Sequence, residues 1–390
     1  MGFEQVFDAL LLLFSVLYGG IILWFTLGLI KAGRSHIKYD VAGVSTIVRQ
    51  SVSVVIPVRN EAAHIERILE ELRVQHFPVT ILEIIVTDDF SDDDTLKRAS
   101  GFASRYPQFP LVLIFPNGLD GSCPGKKSAI ERAVQIAKGE IILCTDADTT
   151  RHPRWISSMA GCFASLQTQM VLGPVVLTHE ISLLQRIQAL EFLGIMGTTA
   201  GSAGQGFPVM CNGANLAYRR SAFIVTGGYA GNIRFRSGDD QFLMNSVIRK
   251  FSRKAILFNH DPEAIVRTEP EATLIGFLNQ RIRWVSKSRG YRDPVVIGVG
   301  LVTWGVHCLL LLGILLGIAF PSILGLSLLL WVGKMVADLP PVWLMSRFFG
   351  EKRLLRYYFP AQVFQLVYVA TVGLAGLLLP YRWKGRKGNR

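Results

Sequence analysis

The sequence predicts an α/β fold, a mainly parallel β-sheet covered by helices, with α-helical membrane segments at both ends of the chain. Three observations lead there. Short continuous apolar runs alternate with amphipathic stretches between residues 50 and 290, the pattern of strands buried on both faces between crossover helices. Long uncharged runs flank that region on either side. Carboxylates gather immediately after two of the apolar runs, at the strand ends where open α/β sheets bind ligands.

The first flanking run, "ALLLLFSVLYGGIILWFTLGLI" (9–30), carries no charge. As a helix it would reach roughly 33 Å, enough to cross a bilayer core. Glu4 and Asp8 precede it, while Lys31, Arg34, Lys38 and Arg49 follow. A cleavable leader has its positive charge in front, so residues 1–31 read as an uncleaved anchor whose basic flank stays cytosolic. Beyond Pro294, residues 295–320, 322–345 and 358–380 form about three further membrane helices, followed by a basic tail, 381–390. Three full crossings after the anchor would leave that tail outside, against the positive-inside tendency, whereas a re-entrant segment would return it to the cytosol. Lys334 and Asp338 stand four apart within the second run, and a mutual pair near the membrane edge is the expectation.

Between these ends, 50–290 is expected to be one cytosolic domain. "VSVVIPV" (52–58), "LEIIVT" (82–87), "LVLIF" (111–115) and "EIILCT" (140–145) read as strands. Asn60 is expected to open a helix with Ile65, Ile68, Leu69 and Leu72 at helical spacing. A second helix, 126–138, carries Ile130, Ala133, Val134 and Ala137 on one face and stops at Gly139.

Composition narrows the function classes. Half the residues are hydrophobic, and 41 Lys and Arg outnumber 29 Asp and Glu; mean hydropathy is +0.35 and the pI about 9.6. Much of the basic excess flanks the apolar runs, in 31–49, 281–292, 347–356 and 382–390. Topology and anionic headgroups explain that better than nucleic acid does. Five cysteines without a C-x-x-C pair fit reduced thiols. No G-x-G-x-x-G follows a strand, "DGSCPGKK" (120–127) departs from a P-loop, and G-x-S-x-G and H-E-x-x-H are absent.

Four clusters carry the chemistry. In "TDDFSDDDT" (87–95), Ser91 as N-cap with Asp92, Asp93 and Asp94 in a first helical turn is explained by the helix dipole. Asp88 and Asp89, at the strand end, fit either turn chemistry or hydrogen bonds to a base or ribose. Asp146 and Asp148 are two apart, and in extended chain both carboxylates would address one site. Mg²⁺ or Mn²⁺ is held by such a pair when phosphate oxygens and water complete its shell. In "SGDDQFLM" (237–244), Asp239 and Asp240 open a helix, where the dipole favours ionised carboxylates and suits a general base. In "NQRIRWVSK" (279–287), Gln280, Arg283, Trp284 and Lys287 would share a helical face. That face serves either as a membrane-interface belt or as a guanidinium for diphosphate beside an indole for a sugar ring.

Taken in order, these clusters and "CNGANLAYRR" (211–220) resemble the membrane-bound family 2 glycosyltransferases, the inverting GT-A group of cellulose, chitin and hyaluronan synthases and lipid glucosyltransferases. The resemblance covers about 51–290, and Q-x-x-R-W is its specific part. It implies a GT-A fold, a UDP-sugar donor and Mg²⁺ or Mn²⁺. Pro57, Arg59 and Glu61 would line the nucleotide pocket with Asp88, and Asp89 would read the uracil. Lys126 would approach the nucleotide or diphosphate; Asp146 would contact ribose or metal and Asp148 the metal. Asp240 matches the family's base and Asp239 its acidic neighbour. Gln280, Arg283 and Trp284 would complete catalysis, and Asn212 and Gly213, with Trp284, would face the acceptor. The family's D-D-G-S is D-D-F-S here, with Phe90 for Gly. Expected partners are a nucleotide-sugar donor, a lipid or saccharide acceptor and membrane lipid, but no nucleic acid. The expected place is a plasma membrane of the bacterial inner-membrane kind, with the catalytic domain cytosolic. A processive polysaccharide synthase, a membrane nucleotidyltransferase and a non-catalytic membrane scaffold are the alternatives.

Overall fold

A computed structural model describes residues 2–34, 50–116, 125–232, 238–380, 382–383 and 386–387. Lys38 and Arg49, residues 120–124, Ser237 and most of the basic tail lie outside the described residues. In chain order the elements begin with α1 (Phe3–Arg34), β1 (Val52–Val58), α2 (Ile65–Arg73), β2 (Leu82–Asp88), α3 (Thr95–Arg105) and β3 (Leu111–Ile114). Then come α4 (Lys126–Ile136), β4 (Ile141–Thr145), β5 (Thr150–Arg151), α5 (Trp155–Gly161), β6 (Met170–Leu172), β7 (Val175–Leu177) and α6 (Leu183–Gly204). They are followed by β8 (Asn215–Arg219), α7 (Arg220–Val225), α8 (Asp239–Lys250), β9 (Ile256–Phe258), β10 (Val266–Thr268) and α9 (Leu274–Ser286). The last are α10 (Pro294–Leu316), α11 (Pro321–Phe348), α12 (Tyr358–Leu378), β11 (Arg382–Trp383) and β12 (Arg386–Lys387).

The chain divides into two compact units that depart from the expected boundaries. A sheet unit comprises Ala32–Thr178 and Gly206–Glu269; a helical unit comprises Met1–Lys31, His179–Gln205 and Pro270–Arg390. The expected continuous 50–290 domain is interrupted because the apolar helix α6, and α9 with its Q-x-x-R-W, pack among the long apolar helices.

In the sheet unit, seven strands run in the order β3-β2-β1-β4-β8-β6-β9, and β5, β10 and β7 form a second, small sheet. β1 pairs in parallel with β2 and β4, β2 in parallel with β3, and β8 lies antiparallel to both β4 and β6. β1, β2 and β4 are buried nearly throughout, as their uninterrupted apolar sequences require. α2 covers one face with Ile65, Ile68, Leu69 and Leu72. It starts at Ile65 rather than at Asn60, because Asn60 takes a left-handed φ of 53° that no helix continues. Gly139 links α4 to β4: a Cβ there would stand 2.4 Å from Ser53 N, so only glycine lets the backbones meet.

Register opens the crevice. β1 pairs with β2 from Val52↔Leu82 to Val58↔Asp88, but with β4 only as far as Val55↔Cys144. Beyond Val55 the β4 side of β1 carries no ladder, so Pro57, which has no N–H, is tolerated in a central strand. The chain order reverses between β1 and β4, the place where such sheets take ligands.

In the helical unit, α1, α10, α11 and the stretch Lys352–Leu378 are, by length and composition, apolar enough to cross a membrane. α1 runs antiparallel to α10, with Phe7 beside Gly313 and Phe14 beside Gly305. It meets α6 backbone to backbone, since a Cβ on Gly201 would lie 2.2 Å from the Phe25 carbonyl oxygen. α12 begins against the middle of α11, where the Tyr358 hydroxyl donates to Met335 O at 2.5 Å. It then runs antiparallel to α10, with Trp304 Nε1 donating to Ala370 O, and ends with Gly376 against Val285 of α9. Its C-terminal end is therefore on the side of this bundle from which α10 starts. α6 went unread in the sequence, although Ser182 and Gln185 form a capping box at its start.

Lys334 and Asp338 are not an edge pair. Their side chains are 3% and 9% exposed inside the bundle. Lys334 Nζ donates to Asp338 Oδ2 (2.7 Å), Gln362 Oε1 (2.8 Å) and Gln365 Oε1 (2.8 Å). Tyr18 of α1 donates to Asp338 Oδ1 at 2.7 Å. One ammonium–carboxylate pair thus ties together α1, α11 and α12.

Candidate active site

The ends of β1 and β2 are stitched into one rim. Arg59 Nη1 donates to the carbonyls of Asp89 (2.9 Å) and Phe90 (3.2 Å), and Arg132 Nη2 of α4 donates to Asp88 O at 2.8 Å. Phe90 holds φ 59°, so the turn that glycine makes easily survives with an aromatic residue in it. The Asp88 carboxylate is fully enclosed and accepts the N–H and hydroxyl of Ser91. It holds the loop rather than presenting oxygens to a ligand, a correction to its expected place in the pocket. Ser91 likewise caps no helix: α3 starts at Thr95, and Asp93 accepts from the backbone N–H groups of Ala62 and Thr95, both at 3.0 Å. Glu61 is buried with His64 Nδ1 2.8 Å from its carboxylate. Pro57, Arg59, Glu61, Asp88 and Asp89 therefore come together, as loop framework as much as lining.

Asp89 is different. It is 3% exposed, and its Oδ1 accepts the Gly125 N–H at 2.7 Å. Burial raises its pKa above the ordinary aspartate value, against the Gly125 N–H and the nearby Arg59 and Arg132.

Gly125 leads directly to the second cluster. Lys126, the first residue of α4, donates to Asp146 Oδ1 at 2.7 Å and lies 3.6 Å from Asp239 Oδ2. Burial works against its charge, but Asp146, Asp239 and Asp240 outweigh that and hold its pKa above the ordinary lysine range. Asp240 Oδ2 accepts the Gly213 N–H at 3.1 Å and Oδ1 the Gln241 N–H at 2.7 Å. A Cβ on Gly213 would stand 3.4 Å from both Asp239 Oδ2 and Lys126 Nζ. The 211–220 loop thus reaches the acids through its glycine, while Asn212 Oδ1 accepts the Ala214 N–H and shapes the loop. Gly238, at φ 83°, makes the left-handed turn into α8, and no side chain caps that helix end.

Asp146 and Asp148 sit in a turn, not in extended chain. β4 stops at Thr145, and Thr149 Oγ1 closes back on Asp146 O at 2.7 Å. Asp146 faces Lys126 while Asp148 is exposed, its carbonyl held by Arg67. Arg151, buried and lowered to about 10 by that burial, braces the turn through Thr149 O and Oγ1. Sequence reasoning missed Arg132, Thr149 and Arg151, which carry no motif. Among the described residues no group of three or more His, Cys, Asp or Glu side chains could hold a metal ion. The donor set nonetheless fits a hard cation that takes two carboxylates plus phosphate and water.

The Q-x-x-R-W residues lie in the helical unit. There Gln280 Nε2 donates to Glu271 Oε1 (3.2 Å) and its Oε1 accepts from Arg281 Nη1 (2.7 Å). Trp284 lies 6.4 Å from Phe192 between ring centroids, and Arg283 is half-buried. α9 ends at Ser286, so Lys287 falls in a following 3₁₀ turn rather than on the same helical face.

A mainly parallel α/β sheet, covered by helices and with acidic side chains gathered beyond its strand ends at the switch point, is a fold of the GT-A kind. Residues 53–226 match the family model described as Glycosyl transferase family 2, and this part of the chain is a family 2 glycosyltransferase domain. An N-acetylglucosaminyltransferase of Rhizobium meliloti (strain 1021) is 25% identical over 258 residues, 64% of this chain and 58% of that protein. The glycosyltransferase AglE of Haloferax volcanii is 29% identical over 128 residues, 33% of this chain and 40% of that protein. The chain thus spans about half the length of these curated relatives. A solved mannosyltransferase of Pyrobaculum calidifontis, in complex with GDP-Man and Mn²⁺, shares the fold at a TM-score of 0.58 and 20% identity, over 95% of this chain and 99% of its own.

Proposed function

We propose that the chain moves a sugar from a UDP-sugar to the hydroxyl of a lipid-linked or lipid-like acceptor at a cytosolic membrane surface, inverting the anomeric centre. The observation supporting this is the meeting of Lys126, Asp146, Asp239, Asp240 and Gly213 beyond the strand ends. The named relatives point to N-acetylglucosamine as the first sugar to assay. Asp146 and Asp148 would hold Mg²⁺ or Mn²⁺, which when bound offsets charge on the diphosphate.

Asp240 is the base in this reading. Its two oxygens are aimed by the Gly213 and Gln241 N–H groups, and a carboxylate oxygen so held can take the acceptor's proton. As that proton leaves, the acceptor oxygen attacks the anomeric carbon opposite the diphosphate, and a single displacement inverts the configuration. Asp239, 3.6 Å from Lys126, keeps the ammonium beside the base, where it favours the leaving anion. Asp89 orients the base of the nucleotide. Gln280, Arg283 and Trp284 enter this reading through their motif alone.

The test uses the full chain in nanodiscs with labelled UDP-N-acetylglucosamine, UDP-glucose or GDP-mannose, Mn²⁺ or Mg²⁺, and a bacterial lipid extract. Label in the lipid fraction with release of nucleoside diphosphate is expected, and Asp240→Asn lowers turnover by about 10²- to 10⁴-fold. A long insoluble polymer would instead favour a processive synthase. Pyrophosphate release would favour a nucleotidyltransferase, and an undiminished Asp240→Asn a scaffold.

A further inference from the structure

The geometry points to Arg281, which fills the first unspecified position inside Q-x-x-R-W, as the positioning residue that sets the motif's Gln280 and Trp284. The inference rests on the reading above that these two residues serve the transfer. Arg281 is 5% exposed and so is withdrawn from solvent itself. Its guanidinium nevertheless touches both motif residues. Nη1 donates to Gln280 Oε1 at 2.7 Å, and the group lies 4.2 Å from the Trp284 ring centroid and 4.6 Å from that of Phe277. Positions 277, 281 and 284 are four and three apart, so one planar cation is stacked between two rings along one face of α9.

The cation is anchored from other helices. Nη2 donates to Glu191 Oε2 of α6 at 2.8 Å, and the hydroxyl of Tyr368, in α12, donates to Glu191 Oε1. Burial lowers the pKa of the guanidinium, but Glu191 and Tyr368 together raise it further, and the net shift is upward. α6 grips the approach to α9 a second time, through Gln188, which bonds both the N–H and the carbonyl of Glu271. Glu271 in turn accepts the Gln280 amide. Gln280 is thereby fixed in one amide orientation, with its nitrogen toward Glu271 and its oxygen toward Arg281. The guanidinium lies over the Trp284 ring and restrains how the indole can turn. A lysine cannot reproduce this, because an ammonium has neither the planar face nor the fork that reaches Gln280 and Glu191 together.

Arg281→Lys, Arg281→Ala and Glu191→Gln are compared with Trp284→Ala in the full chain in nanodiscs, by sugar transfer and thermal unfolding. Arg281→Lys is expected to lose about 10²-fold in kcat while still unfolding cooperatively. Glu191→Gln loses less in the same direction. Guanidinium chloride at low concentration restores part of the turnover of Arg281→Ala and none of that of Trp284→Ala. The double variant Arg281→Ala/Trp284→Ala is no slower than Trp284→Ala alone. Full turnover in both Arg281→Lys and Glu191→Gln, or additive losses in the double variant, would overturn the proposal. An unmodified chain that transfers no sugar would sink the underlying function instead, and a fully active Trp284→Ala would sink the role of the motif.

Discussion

Two lysine–aspartate pairs, one in each unit, have the same 2.7 Å contact and opposite surroundings. Lys126 faces Asp146 and Asp239, with Asp240 adding to the field, and its side chain is 20% exposed. Carboxylates outnumber the ammonium there, so the cluster keeps an excess of negative charge and a route to water. Lys334 is 3% exposed and meets one carboxylate and two amide oxygens, while Tyr18 and Gln362 donate to that carboxylate. Charge balances and each ammonium proton has an acceptor. The difference separates a site from a clasp: an unbalanced, partly wet cluster can exchange partners with a ligand, and a balanced dry one holds helices together.

Reciprocal substitutions break or sharpen that contrast. Lys334→Met leaves Asp338 uncompensated among α1, α11 and α12 and should cost about 3 kcal/mol of stability. Lys334→Met/Asp338→Leu recovers most of it, because the desolvated charge is gone. Lys126→Met should instead lower turnover by about 10²-fold with a smaller stability loss, since Asp146 and Asp239 keep 36% and 14% of their side chains in solvent. Thermal unfolding and sugar transfer, measured on both variants, check this. Equal stability losses would erase the distinction.

A smaller effect separates Asp89 from its neighbours through pH. Its pKa is raised in the folded chain, mainly by burial. A raised acid contributes stability below its unfolded value, about 4, and loses that contribution as pH climbs through the folded value. Asp89→Asn removes this dependence, so the variant gains on the parent as pH rises from about 4 toward neutrality. Donor KM should rise at the same time. A stability difference that stays flat with pH would mean that Asp89 is not held at a desolvation cost.

How far these features could be read in advance follows from the range of the forces involved. β1 was legible to the residue, because an uninterrupted apolar run before "RNE" leaves little choice of element. The Asp239 and Asp240 helix start was legible too, since chain order alone brings both acids to one end of α8. What local pattern does not contain is the partner 34 or more residues away: Glu191 for Arg281, Tyr18 for Asp338, Thr95 for Glu61's loop. Neither could hydropathy show that α12 stops beside α9, because apolarity states that a helix is buried in apolar surroundings and not where it begins. The Asp146–Asp148 turn failed for a third reason. Alternation along β4 was extended past its end, although Thr149 offers a side-chain oxygen that closes a turn.

Phe90 gives the smallest and cleanest test in the sheet unit, where a sequence departure became a backbone fact. Its φ of 59° costs a non-glycine residue about 1–2 kcal/mol, and Arg59 holds the carbonyls on either side of the strained Phe90 N–Cα bond. Phe90→Gly alone mixes relief of strain with loss of the ring and with the greater unfolded-chain entropy of glycine. Phe90→Ala removes the ring but keeps the Cβ that causes the strain. Comparing the two variants cancels the ring, so Phe90→Gly should be more stable than Phe90→Ala by up to about 1 kcal/mol in thermal or denaturant unfolding. Were the alanine variant equal or better, the turn would have rearranged. Arg59 would then be following the loop instead of fixing it.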